Sequence, residues 1–145
     1  MFAKKMAVGV AAVLAASAFG QGSFVVRDCT VVYEEAFART QGDAWGRDAA
    51  KDLAEILSKV TDSTVKAYPE SKAHANPGSV IYLGRCEASK GLDTSAYSPC
   101  EFRVKVTPER VFLLGRTETA ASYAVTEFVE RFCGYLFLSQ NGENP

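Results

Sequence analysis

Acid–base chemistry in this chain would have to come from carboxylates, and Glu101, Glu109, Glu118, Glu127 and Glu130 are the candidates. A glycoside hydrolase holds two acidic groups about 5 to 9 Å apart across a sugar. None of these glutamates stands in a distinctive pair. Glu127 and Glu130 belong to a charged helix face and read as solvated. Glu118 stands where a helix begins, and a negative charge there complements the helix dipole. His74 is the sole histidine, in a polar loop with no neighbour at metal-ligand or triad spacing. Cys29, Cys86, Cys100 and Cys133 lack C-x-x-C spacing, which argues against zinc or redox chemistry. No nucleophile elbow, phosphate-binding loop or dinucleotide fingerprint is present, so no cofactor is expected.

Gly115–Arg116–Thr117 joins a strand to a helix. It reads first as a tight turn plus a cap, and second as a cradle of amides for an anion or for sugar hydroxyls. Trp45 and Tyr135 are able to stack on a sugar ring, although Trp45 also falls on a helix stripe and Tyr135 in a strand. Gly115, Arg116, Thr117 and Trp45 are therefore the candidate ligand or domain-junction contacts.

These residues need elements to hold them. Phe24–Tyr33 has strand composition, with Asp28 as a turn or bulge. Residues 36–46 read as irregular, and Asp43 as the cap of the helix that follows. Trp45, Ala49, Leu53, Ile56, Leu57 and Val60 recur at helical spacing, opposite Lys51, Asp52, Glu55 and Lys59. A short strand over 64–68 follows the turn at Asp62. Val80–Leu83 is a compact apolar run that predicts a central buried strand. Glu101–Val106 alternates, turns through Thr107–Pro108–Glu109–Arg110 and returns over Val111–Leu114, a hairpin. Thr117 or Thr119 caps a second helix with the stripe Ala121, Ala124, Val125, Phe128 and Phe132. Gly134 marks its end, and Tyr135–Leu138 reads as a last strand. The pattern predicts an α/β two-layer sandwich, a mixed β-sheet with two main helices packed on one face.

Lys4 and Lys5 precede an apolar run from Met6 to Phe19 with small residues at its end, the pattern of a secretory signal peptide over residues 1–20. Export predicts a secreted or periplasmic protein with no stable membrane insertion after cleavage. An exported chain with four cysteines allows up to two disulfides in three pairings. Cys86 and Cys100 flank a loop holding Gly91 and Pro99, and closing it would contribute about 3 kcal/mol. Cys29–Cys133 then remains as the second pair; the alternative is buried thiols. Net charge is −1, and no Lys/Arg cluster outside the leader is of the kind that binds nucleic acid.

The runs AAKDLAEILSKVTDSTVKAYPE (49–70), VIYLG (80–84) and FRVKVTPERVFLLGRTETAASYAVTEFVERFCGYLFL (102–138) resemble a known domain. It is the N-terminal non-catalytic α/β domain of bacterial glycoside hydrolases. The alpha-glucuronidase N-terminal domain and the second domain of family 20 beta-hexosaminidases are the two forms it is most similar to. The strongest element is the run from Gly115 to Glu130. The resemblance implies an accessory domain over 21–140. It also implies hydrolytic carboxylates in a following (β/α)8 barrel, with 141–145 as the start of the linker. No catalytic residue carries over. Thr61–Asp62–Ser63 departs from the Thr-Gly turn of the family, and the cysteines are not part of its pattern. The expectation is an accessory domain that scaffolds a catalytic barrel or shapes its cleft, with a polysaccharide or oligosaccharide as ligand. Its rivals are a stand-alone carbohydrate-binding module, which needs Trp45, Tyr33 or Tyr97 flat on the surface, and a minimal hydrolase with two facing carboxylates.

Overall fold

The computed structural model describes residues 13–15, 23–39, 45–73 and 78–132. Two short strands, β1 (Val13–Ala15) and β2 (Ser23–Val25), pair antiparallel. The main sheet is built from β3 (Thr30–Tyr33), β4 (Lys66–Pro69), β5 (Val80–Leu83), β6 (Phe102–Val106) and β7 (Arg110–Gly115). Its order is β4-β3-β5-β7-β6. All neighbours are parallel except the β6–β7 hairpin. The fold is the expected two-layer α/β sandwich with a mixed sheet.

Helix α1 (Glu35–Arg39) and helix α2 (Trp45–Thr61) form the crossover from β3 to its parallel neighbour β4. Helix α3 (Glu118–Phe132) follows β7. Register explains the core. Val31, Ile81, Val111 and Val106 align across four strands, as do Tyr33, Leu83, Leu113 and Val104. Both rows belong to one apolar cluster with Leu53 and Leu57 of α2 and Val125 and Phe128 of α3. Burying each of the larger side chains stabilises the fold by about 1.5–3 kcal/mol. The opposite face carries the row Val32, Tyr82, Phe112 and Lys105. Tyr82 stacks on Phe112 there, with centroids 5.7 Å apart.

The turn or bulge expected at Asp28 is a turn that interrupts Phe24–Tyr33; its φ of 55° is left-handed, a conformation short polar residues tolerate. Other local expectations change. Glu35–Arg39 is helical rather than irregular, because Phe37 buries itself beneath the start of α2. Strand β4 runs over 66–69, later than predicted. Asp43, His74, Cys133, Gly134 and the strand expected at Tyr135–Leu138 lie outside the described residues.

The disulfides are a correction: among the described residues, which include Cys29, Cys86 and Cys100, no cysteines stand at disulfide or near-disulfide distance. Spacing along the chain brought Cys86 and Cys100 to opposite ends of one loop, and the fold then separates them. Cys86 is buried with Val32 and Val80, its Sγ 3.7 Å from the Leu83 carbonyl oxygen. Cys100 is exposed beside the start of β6. Burial, with Glu70 and Glu34 adding to it, pushes the Cys86 thiol well above its ordinary range. It is an inert core group rather than a reactive one.

Candidate functional site

In an open parallel sheet, ligands settle outside the carboxyl ends of the strands, where connections leave in opposite directions. Here that point lies between β3 and β5. The chain leaves β3 towards β4 on one side and leaves β5 towards β6 and β7 on the other. The segment 84–101 stays at this edge, passing over the end of β7 to enter β6, which begins opposite Gly115. It acts as a strap across the top of the sheet.

Five glutamates at this edge hold backbone amides. Glu34, directly after β3, is 7% exposed. Its Oε2 accepts the amide of Arg85 at 2.9 Å, and its Oε1 accepts the Arg85 guanidinium at 3.2 Å. Glu35 accepts the amide of Ser71 at 3.0 Å, and that bond holds its carboxyl below the usual range. Glu70, after β4, accepts the amide of Glu87 at 2.6 Å. Glu101 accepts the amide of Ser98 at 3.1 Å and the Arg103 guanidinium at 3.2 Å. Glu118 reaches the amide of Gly46, at the start of α2, at 3.5 Å. Charge-assisted bonds of this kind are stronger than neutral ones. The edge is braced by carboxylates rather than lined with idle ones.

The Gly115–Arg116–Thr117 turn pins the strap. Arg116 Nη1 donates to the Tyr97 carbonyl at 3.0 Å, and Thr117 Oγ1 donates to the Pro99 carbonyl at 2.7 Å. The same Thr117 hydroxyl accepts the Ala120 amide at 3.1 Å, so Thr117 is the cap of α3. Gly115 is required by close approach: a Cβ there would meet the Ala121 nitrogen at 2.5 Å.

Trp45 opens α2 at the same edge but is 60% exposed, not packed on the sheet as its stripe position implied. The neighbouring Gly46 takes the inward place, where a Cβ would strike the Phe37 ring at 2.5 Å. Tyr33 is buried. Tyr97 is half-buried, and Arg103 lies over its ring at 5.1 Å. Of the three aromatics any of which could form a sugar platform, Trp45 alone presents itself openly.

Two open grooves flank the strap. One, of about 510 Å³, is lined by Arg85, Lys90 and Arg116, by Asp93, and by Ser89, Thr94 and Ser95. The other, of about 650 Å³, runs along β6 past Tyr97, Phe102, Arg103, Lys105, Glu127 and Arg131, and Asp93 borders it as well. Its acids do not suit glycoside hydrolysis. Glu127 is paired with Arg131 at 3.2 Å. The amide and hydroxyl of Ser95 hold the Asp93 carboxyl below its ordinary range, the reverse of what a general acid needs. A carboxyl that is raised, Asp52, owes its shift to partial burial and to Glu55 and Asp48, and it lies on the solvent face of α2. Glu109 is in the hairpin turn at the opposite edge, and Glu130 is exposed on α3.

Neither the cationic groove nor the glutamate brace was foreseen from the sequence. The lone signal for the brace was Glu34, directly after the predicted strand Phe24–Tyr33. A scan against protein-family models found no match, and a search of curated proteins found none. Among the described residues no helix is long and apolar enough to cross a membrane.

Proposed function

We propose that this chain is a non-catalytic accessory domain of a secreted carbohydrate-active enzyme, scaffolding a (β/α)8 catalytic barrel or shaping its cleft. The observation that carries this reading is the braced edge. Glu34, Glu35, Glu70 and Glu118 each hold a backbone amide of a neighbouring segment, and Glu101 holds one within the strap. Such groups fix loop geometry and are poorly placed to move protons. The two-layer mixed sheet agrees with what the resemblance at 49–70, 80–84 and 102–138 implies. The Lys4–Lys5 and Met6–Phe19 pattern supports export.

A second reading, a stand-alone carbohydrate-binding module, is favoured by one observation, the open face of Trp45. Titration calorimetry separates the two, with the full chain against neutral, hexosamine and uronic-acid oligosaccharides. The accessory reading expects no saturable heat down to millimolar affinity. Saturable binding that disappears in Trp45→Ala would replace it with the module reading.

A further inference from the structure

The groove between the loops after β5 and β7 has no part in the scaffold reading. Its three cations come from two segments: Arg85 and Lys90 lie in the strap just after β5, and Arg116 follows β7. Both guanidinia are held in place before any ligand arrives. Glu34 anchors Arg85, and the Tyr97 carbonyl anchors Arg116. An Arg fork carries five N–H donors, so one anchoring bond each leaves donors for a ligand. Lys90 reaches Glu87 at 3.4 Å on an open surface. The floor is polar and fixed, with Ser89 3% and Thr94 4% exposed. The acid in the lining, Asp93, has both oxygens engaged by Ser95: Oδ1 takes the amide at 2.8 Å, and Oδ2 takes the hydroxyl at 2.9 Å.

We infer that this groove binds a tetrahedral oxyanion, a sulfate or phosphate monoester carried on a sugar. Three cationic side chains lining one groove suit an anion with three acceptor oxygens out of one plane. A planar carboxylate is served by a single bidentate Arg fork. The exposed Ser95 hydroxyl, which donates to Asp93, keeps its lone pairs for the polyol part of the ligand. The volume suits a small ligand. The sugar part of this inference rests on the accessory-domain reading; the oxyanion part does not.

The test is calorimetry on the full chain at low salt with glucose 6-sulfate, glucose 6-phosphate, glucuronate and glucose. Saturable binding of one or both esters, with glucuronate and glucose at least about tenfold weaker, is the expected result, and the tighter ester names the source. Arg116→Gln is expected to weaken the ester about tenfold or more. Because Arg116 also pins the strap, Lys90→Gln is the second variant; its exposed side chain has little to do with folding, and it is expected to weaken the ester several-fold. Unchanged affinity in both variants overturns the site. So does glucuronate binding as tightly as the esters, and so does no ester binding at all. Unchanged variants or absent ester binding leave the accessory-domain reading untouched, tight glucuronate binding counts against both, and glucose or neutral-oligosaccharide binding lost in Trp45→Ala strikes that reading and not the groove.

Discussion

Replacing Gly115 with alanine forces a methyl group into the first turn of α3. The new Cβ would stand 2.5 Å from the Ala121 nitrogen, 2.7 Å from the Ala120 carbonyl carbon and 2.8 Å from the Ala120 Cβ. Two of these are backbone atoms of a helix whose Ala121, Ala124 and Phe128 are fully buried, so no flexible side-chain tip can swing away. Either α3 retreats or β7 bends. Overpacking of this kind costs about 1–3 kcal/mol. Retreat of the helix also strains the Thr117 cap, where Oγ1 accepts the Ala120 amide at 3.1 Å, and losing a cap costs about 1 kcal/mol. Against this, alanine reduces unfolded-chain entropy and returns about 0.4–1 kcal/mol. The steric term wins, and the variant is expected to lose about 2 kcal/mol. Gly91 is the internal control, since a Cβ there meets nothing within 4 Å. Gly91→Ala is therefore expected to change stability by less than about 0.5 kcal/mol. Urea unfolding of the three proteins, followed by circular dichroism, reads both values from midpoints at constant slope. A Gly115→Ala protein as stable as Gly91→Ala would refute the close approach of α3 to the end of β7.

Glu34→Ala removes the acceptor of the Arg85 amide and leaves a gap beside Gly84. Chemical denaturation should show a loss of about 2–3 kcal/mol, with Glu34→Gln losing less because one oxygen remains. Asp52 is an acid whose folded value is raised by partial burial and by Glu55 and Asp48. Its contribution is favourable below its unfolded value and is lost as pH rises through the folded one, so the ionised form costs stability near neutrality. Asp52→Asn should then stabilise the chain at neutral pH, by no more than about 0.5 kcal/mol after solvent screening, and the gain should vanish in acid. Glu35 and Asp93 have the opposite sign: their lowered carboxyls contribute above the ordinary range, and that contribution disappears as pH falls through the folded values. Thiol labelling of the native chain should modify Cys100 quickly and Cys86 only on unfolding, read by peptide mass spectrometry.

What the sequence disclosed follows from which features repeat along it. The central strand Val80–Leu83, the hairpin around Pro108 and the stripes of α2 and α3 announce themselves through alternation or helical period, and the sheet is built from them. Helix α1 has five residues and one buried side chain, Phe37, too little for any period to register. Trp45 shared the spacing of the α2 stripe, yet the helix meets the core at its start through Gly46, because the Phe37 ring fills the space a side chain would need. The glutamate brace is invisible for a different reason. The five glutamates stand in four separate stretches of chain with no shared period, and the amide held lies up to 72 residues away. The cysteine expectation failed on the same ground: separation along the strap says nothing about how it crosses β7.

The central claim is that the strap-bearing edge is a scaffold without chemistry of its own. The most direct measurement is turnover by the full chain on a panel of aryl glycosides covering hexosides, hexosaminides and hexuronides. Glu34→Gln and Glu118→Gln would be run beside it. The account expects no release above the blank for any of the three proteins. Saturable turnover by the unsubstituted chain that either substitution abolishes would contradict it, and would make those glutamates catalytic.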